Sequence, residues 1–397
     1  MKKQRTANLQ LVKAANLSLV FHLINQYGQT SRAEIAHITG LSPTTVSSLV
    51  DELIANEMVV ECGAGESTTS GRKPVLIEVN PSGGYVAAIE LNEEGFLLEL
   101  FDLCGLCVES RQREVTDWDS LGNSLVIAIE KAFSKIKCPI EKLQGICVGV
   151  PALLDKDARR VVTSSVIPID ENNDFFKVLQ SRFRHIPVKM GVDSCFCAYS
   201  EKAELRSDLH SLVYININKG IGCGIILGDK LYTGAFGYAG EFGQLTVIPN
   251  DPTKLEELAS VPVIKRRFSE EIANGAETLV KPRKDGSIPF ASIAKALEKQ
   301  DKLACRIIEE SCAYLAQGIG NVINLLNPEA IVIGGRITEL GPLFLEILNN
   351  QVKKVTNRQT FTRTMLAYSC SQNNSVTNGC AQYLLTKIFD VNNFLVQ

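Results

Sequence analysis

Lys219-Gly220-Ile221-Gly222-Cys223-Gly224, followed ten residues later by Gly234-Ala235-Phe236-Gly237-Tyr238-Ala239-Gly240-Glu241-Phe242-Gly243-Gln244, decides how the larger part of this 397-residue chain is read. The first group lies between the apolar runs Leu212 to Ile217 and Ile225 to Leu227, so it links two strands. A third turn, Ile333-Gly334-Gly335-Arg336, follows the apolar run Ala330 to Ile333. Glycine carries no Cβ, so backbone N–H groups in such turns can approach a phosphate or a sugar closely. Each turn alone also reads as a plain tight turn, and the three acquire meaning only in order.

Outward from these turns, the chain alternates between buried strands and helices. Tyr85 to Leu91, Phe96 to Leu103, Ile146 to Val150 and Leu245 to Ile248 are further apolar runs bounded by Gly, Asn or Pro. Leu121 to Ile136 and Ala304 to Leu326 carry helical spacing between them. This alternation predicts an α/β architecture, and its length predicts two lobes with a cleft. The change of pattern at Pro81-Ser82-Gly83-Gly84 places a domain boundary, giving a segment 1–80 and a segment 81–397.

The first segment has a different grammar. Leu17, Val20, Phe21 and Ile24 mark one apolar helix face that stops at Gly28. Ser31-Arg32-Ala33-Glu34 is a capping-box pattern opening a short helix with Ile35 and Ile38 that ends at Gly40. Ser42 as N-cap and Pro43 at the first helical position open a third, with Val46, Leu49, Val50, Leu53 and Ile54 at core spacing. Two capped helices across a glycine turn predict a helix-turn-helix, whose second helix enters the DNA major groove. Its non-core positions Thr44, Thr45, Ser47 and Ser48 carry hydroxyls that can meet phosphates or base edges. Strand-like runs Met58 to Glu61 and Val75 to Val79 enclose a polar loop, Cys62 to Pro74, with Arg72 and Lys73 at its base. That is the form of a wing lying along a phosphate backbone. The candidate DNA contacts are therefore Arg32, Ser42, Thr44, Thr45, Ser47, Ser48, Arg72 and Lys73.

Charge supports this only by its distribution. The whole chain is at −3, and residues 1–80 carry seven basic and seven acidic side chains. Within residues 1–50, five cations (Lys2, Lys3, Arg5, Lys13, Arg32) face Glu34 alone, a net of +4. Hydrophobic residues at 45% and charged residues at 21% fit an ordinary globular protein. No apolar run reaches the ~20 residues of a membrane span, and no apolar segment follows the basic N-terminus, so a cytoplasmic protein with no membrane partner is expected. The twelve cysteines do not imply disulfides in that setting. Cys104-Gly105-Leu106-Cys107 has metal or redox spacing, but no second pair completes four ligands and it reads as a hairpin turn.

Taken in order, the glycine motifs resemble those of the ROK family of repressors and kinases. That family carries a GxGxG strand-turn-strand leading to Ala-Gly-Glu-x-Gly-His, and its repressors place a winged helix ahead of it. The resemblance covers nearly the whole chain. It implies a two-lobed actin-like ATPase (ribonuclease H-like) fold preceded by a winged helix-turn-helix domain, and a homodimer or higher homo-oligomer.

The departures from the family decide what is expected of the chemistry. Where its kinases hold ATP phosphate on Asp-x-Gly-Gly-Thr, this chain has Glu90-Leu91-Asn92-Glu93-Glu94, and two carboxylates repel a polyphosphate. The kinase Asn-Asp-Ala motif is Val192-Asp193-Ser194. The histidine of the glycine signature, a structural zinc ligand in the family, is Gln244, and the stretch Pro249 to Lys254 that follows it has no cysteine. No catalytic residue, no cofactor and no metal are therefore expected. The residues that the resemblance implies for a sugar effector are Asp193, Glu241 and Gln244, with Ser165 near the family's asparagine position; carboxylates suit polyols because each accepts several hydroxyl hydrogens. A sugar-responsive repressor bound to double-stranded operator DNA is the leading reading. Against it stand a carbohydrate kinase of the same fold and a regulator controlled by a protein partner.

Overall fold

The computed structural model describes residues 2–64, 73–155, 159–205, 209–370 and 375–388, with the backbone alone at 2–9. They form two compact units, the first from segments 1–149, 174–190 and 380–397 and the second from 150–173 and 191–379.

The first unit opens with α1 (Lys2–Tyr27), longer than the apolar periodicity alone marked. Ala14, Leu17, Val20, Phe21 and Ile24 are buried along one face. Then come β1 (Thr30–Ser31), α2 (Arg32–Thr39), α3 (Pro43–Ala55), β2 (Val59–Ala64) and β3 (Val75–Val79). The three strands form a sheet in the order β1-β3-β2, and both pairings are antiparallel, with Thr30 opposite Ile77 and Val59 opposite Val79. This arrangement is consistent with a winged helix-turn-helix. Ser31 Oγ accepts from Glu34 N at 3.2 Å, as expected, but only half of the capping box forms. The Glu34 carboxylate accepts instead from Thr30 Oγ1 at 3.0 Å, because β1 holds that hydroxyl beside it. Ser42 caps α3 through Thr45 N at 3.1 Å.

The junction to the rest of the unit is short. Asn80 N donates to Met58 O at 2.9 Å and Asn80 Nδ2 to Glu57 O at 2.7 Å, before a single 3-10 turn, Pro81–Gly83. Lys142 adds an ion pair to the Glu57 carboxylate. Beyond it, β4 (Tyr85–Asn92), β5 (Gly95–Asp102), β6 (Cys107–Glu114), β7 (Leu143–Val150) and β10 (Val188–Val192) make a sheet in the order β10-β7-β4-β5-β6. β4 and β5 are antiparallel from Tyr85–Asp102 to Asn92–Gly95, and β4 and β7 are parallel. The strand β6 carries exposed Glu, Arg and Gln side chains and gave no apolar signal in the sequence. α4 (Leu121–Lys135) packs beside α5 (Phe175–Arg182), with Leu121, Leu125, Ile129 and Phe133 buried, each contributing about 1.5–3 kcal/mol.

The second unit begins with a small ladder of β8 (Leu153–Asp155) and β9 (Arg160–Thr163), then α6 (Asp193–Leu205). Its sheet contains β11 (Leu212–Ile217), β12 (Ile221–Leu227), β13 (Lys230–Leu231), β14 (Ala330–Gly334) and β15 (Met365–Tyr368), in the order β13-β12-β11-β14-β15. The order repeats that of the first sheet: the earliest long strand sits centrally, two strands follow it on one side, and later strands stand on the other. Around it lie α7 (Leu255–Ala259), α8 (Val261–Ala273), α9 (Phe290–Glu298), α10 (Lys302–Leu326), α11 (Pro342–Val355), α12 (Arg358–Phe361) and α13 (Ser375–Ile388), the last shared between the units. α10 supplies the spine of the core, with Ile307, Ile308, Leu315, Ile319 and Ile323 buried against Ile331, Ile333, Phe344 and Leu348.

One expected strand does not form. Leu245 to Ile248 follows a 3-10 turn, Phe242–Gln244, and makes a single bridge, Thr246 to Lys254. Pro249 and Pro252 flank a reversal in which Asp251 Oδ1 accepts from Thr253 N at 2.8 Å, so the run has no length over which to pair.

β12 lies directly on the start of α6. A Cβ at Gly224 would stand 2.1 Å from Ser194 O, so no side chain fits there. Replacing Gly224 with Ala is expected to cost about 2–3 kcal/mol through forced separation of strand and helix. Urea denaturation of the purified chain would check this, and an unchanged midpoint would contradict the packing described.

Candidate DNA-reading surface and effector site

On the reader, Ser42, Thr44 and Ser48 are exposed, while Thr45 and Ser47 are half-buried. Ser42 Oγ lies 2.8 Å from both Thr44 Oγ1 and Thr45 Oγ1, so the first turn of α3 presents a connected cluster of hydroxyls. The acids that follow are each met by a cation. Arg32 spans Asp51 at 2.8 Å and Glu61 at 2.9 Å, Lys13 meets Glu52 at 2.7 Å, and Lys142 meets Glu57. Arg32 was expected to contact DNA; its guanidinium is held by two carboxylates that a phosphate would have to displace. Lys73 is exposed two residues before the strand β3. Arg72 lies outside the described residues.

In the second unit, Asp193 heads α6 and accepts from its own neighbour Ser194 N at 2.6 Å. Burial pushes its carboxyl up to about 6, opposed by that single hydrogen bond. The next carboxylate reaches the same place by another route. Gly240 adopts φ +102 with its Cα pressed on Cys223 O, where a Cβ would stand 2.3 Å away, and this fixes Glu241 beside β12. Glu241 is itself raised, by desolvation and then by the carboxylate of Glu256. Cys195 registers both acids: burial pushes its thiol up to about 12, with Asp193 and Glu241 adding to the shift. Gln244 Nε2 donates to Glu256 Oε1 at 2.7 Å.

Asp193 and Glu241 are thus each positioned against the same strand, β12, while Gln244 is bonded to Glu256, a residue whose charge reaches Glu241 and which the sequence reading missed. Its signal was present as Leu255-Glu256-Glu257, an acidic first helical turn twelve residues after Gln244, but such turns are ordinary helix capping. Ser165 is exposed on the segment after β9 and stands outside these interactions. Its neighbour Ser164 does the local bonding, donating to Pro151 O at 2.6 Å and accepting from Val166 N and Ile167 N at 3.1 Å.

Residues 86–387 match the model of the ROK family. The chain belongs to the ROK family. The xylose repressor of Caldicellulosiruptor bescii is 28% identical over 391 residues, covering 96% of this chain and 97% of that protein. The Escherichia coli DNA-binding transcriptional dual regulator NagC is 28% identical over 353 residues, covering 86% of each chain. Among solved structures, a ROK family transcriptional regulator described as a homologue of the E. coli MLC protein superposes with a TM-score of 0.83 at 22% identity, over 97% of this chain and 99% of that one. A ROK glucokinase from Streptomyces griseus, solved with glucose and AMPPNP, gives 0.62 at 19% identity over 76% of this chain and 99% of its own. The fold is therefore that of the ROK regulators and sugar kinases.

Two ROK features find no fitting residues here. At the place of the family's phosphate turn, Asn92 Oδ1 accepts from Glu94 N at 3.1 Å and Gly95 N at 3.0 Å. Those N–H groups are consumed within the hairpin, and Glu93 and Glu94 are exposed on it. At the place of the ROK zinc, Gln244 is engaged with Glu256, and no group of three or more His, Cys, Asp or Glu among the described residues is arranged to hold a metal. No described helix is long and apolar enough to cross a membrane.

Asp193 lends itself to a stability test. Its folded value lies above the 3.8 of an ordinary aspartate, so the folded chain favours the protonated form. The resulting penalty is absent below about pH 4 and complete above about pH 6, and it is of the order of 3 kcal/mol. Asp193→Asn is expected to raise stability at pH 8 and to lose that advantage as pH falls towards 4.5. Guanidinium denaturation at the two pH values checks the sign; a variant no more stable at pH 8 would contradict it.

Proposed function

We propose that this chain is a sequence-specific DNA-binding transcription regulator, a repressor of carbohydrate-utilisation genes, whose kinase-like domain senses a saccharide without phosphorylating it. In this reading residues 1–80 read operator DNA and residues 81–397 bind effector and hold the homo-oligomer together. The observation that carries it is the charge pairing on the reader. With Asp51, Glu52, Glu57 and Glu61 met by three cations, Arg32 being shared by Asp51 and Glu61, the acids after the hydroxyl-bearing start of α3 keep a net charge of −1 and repel DNA far less than four free carboxylates would. Exposed Lys73, with Arg72 next to it in the sequence, supplies backbone contacts, and the hydroxyls of Ser42, Thr44 and Ser48 supply groove contacts.

The repressor names of the full-length relatives support the same reading, as does the hairpin that replaces the phosphate turn. Without a cradle for ATP, Asp193 has no phosphoryl group to direct a hydroxyl towards, and its carboxylate serves recognition. Asp193, Glu241 and Glu256 are acceptors suited to a polyol, and Gln244 holds Glu256 in place. An effector acts by binding one of two states of the protein more tightly, so sugar must change operator affinity.

The test is a titration against DNA from upstream of the protein's own gene, with unrelated DNA as control, at several salt concentrations. Specific binding with a steep salt slope is expected. Lys73→Ala should weaken binding to all sequences and reduce the slope by about one, whereas Ser48→Glu should cost at least about tenfold on the operator. Asp193→Asn should bind operator normally and fail to release it with sugar. Equal binding to both DNAs, together with ATP-dependent sugar phosphorylation that requires Asp193, would replace the regulator by a kinase.

A further inference from the structure

Four aromatic side chains among the described residues are exposed: Tyr27, Tyr232, Phe236 and Tyr238. Three of them fall within seven residues, at 50%, 71% and 44% exposure, so they form a local feature and are not scattered surface residues. The segment that carries them is tied down. Tyr232 N donates to Ile225 O at 2.8 Å, Ala239 N closes the excursion on Thr233 O at 3.1 Å, and Gly240 rests on Cys223 O. Its two ends are thus anchored to residues 223 and 225 of one strand, two positions and about 7 Å apart. Phe236 stands at the far side of the excursion. Its near end runs directly into Glu241 and, through the 3-10 turn, to Gln244.

We propose that the effector site extends from the Asp193–Glu241–Glu256 carboxylates onto this aromatic loop, and that the effector is a saccharide of two or more rings. This rests on the sugar-sensing reading above. The carboxylates provide acceptors for the hydroxyls of one ring. The faces of sugar rings bear C–H groups of slight positive charge, which pack on the negative face of an aromatic ring. Tyr232 and Tyr238 add phenolic hydroxyls that can donate to or accept from a second ring, and Phe236 adds an apolar face alone. A monosaccharide held by the carboxylates leaves all three rings in water. A protein pocket is the other occupant that such a loop could fill, but the loop is anchored on β12 and runs directly into Glu241, which favours a ligand that uses both.

Calorimetry on the full chain decides between these, using xylose against xylobiose, N-acetylglucosamine against its β-1,4-linked dimer, and glucose against cellobiose and maltose. At least one disaccharide should bind tenfold or more tightly than its own monosaccharide. Phe236→Ala and Tyr238→Phe/Phe236→Ala should abolish that gain and leave monosaccharide affinity within twofold. Asp193→Asn should lose both. Asp193-dependent binding of a monosaccharide that no second ring improves would overturn the extension alone. If no saccharide of either length binds, the sugar-sensing reading fails and the extension with it. Sedimentation of Phe236→Ala as a smaller species than the parent chain would make the loop a subunit contact and overturn the proposal.

Discussion

The backbone of β12 pressed against the first turn of α6 is the constraint from which the second unit's site follows. The contact between Gly224 and Ser194 O leaves no room for a side chain and fixes where α6 begins. Because Asp193 is the first residue of that helix, its carboxylate is placed by main-chain packing and not by a partner side chain. The same device recurs where Gly240 rests on Cys223 O and delivers Glu241. Two acids are thereby held in a partly desolvated place with few compensating bonds. That arrangement is unfavourable for folding and useful for a ligand that brings hydroxyls.

The reader is organised by a different economy of charge. Its exposed ion pairs each contribute little to stability, generally under about 1 kcal/mol. Their consequence is electrostatic: Arg32 and Lys13 are used to silence acids, so a segment of equal positive and negative charge need not present a neutral face. A count along the sequence cannot register this, since Arg32 and Asp51 are nineteen positions apart and Arg32 and Glu61 twenty-nine.

Local grammar was legible throughout. The caps at Ser31 and Ser42, the exit at Gly40, the apolar faces of α3 and α10, and the central strands β4, β7, β11 and β14 follow from spacing and composition. What was hidden depended on neighbours distant in the chain. Glu34 looked like the return half of a capping box until β1 placed Thr30 Oγ1 beside it. Leu245 to Ile248 had strand composition, yet the two prolines and the Asp251 turn left it unpaired. β6, polar on its surface, is a strand because β5 offers it an edge from Gly95 to Phe101, not because of its own side chains. In the site, Asp193, Glu241 and Gln244 were recoverable because motif order marks them. Glu256 was not, since only the bond from Gln244 distinguishes it from the capping acid at the adjacent position.

The junction at residue 80 bears on how such chains can be assembled. Asn80 is bonded to Met58 and Glu57 of the reader, Lys142 just before β7 grips Glu57, and one 3-10 turn separates β3 from β4. A connection of that length has almost no slack, so it transmits orientation as well as proximity. The reader is consequently not an interchangeable cassette. A foreign one grafted at this point would need a carbonyl and a carboxylate where Glu57 offers them, or the recombinant would carry two sound halves that no longer share an axis.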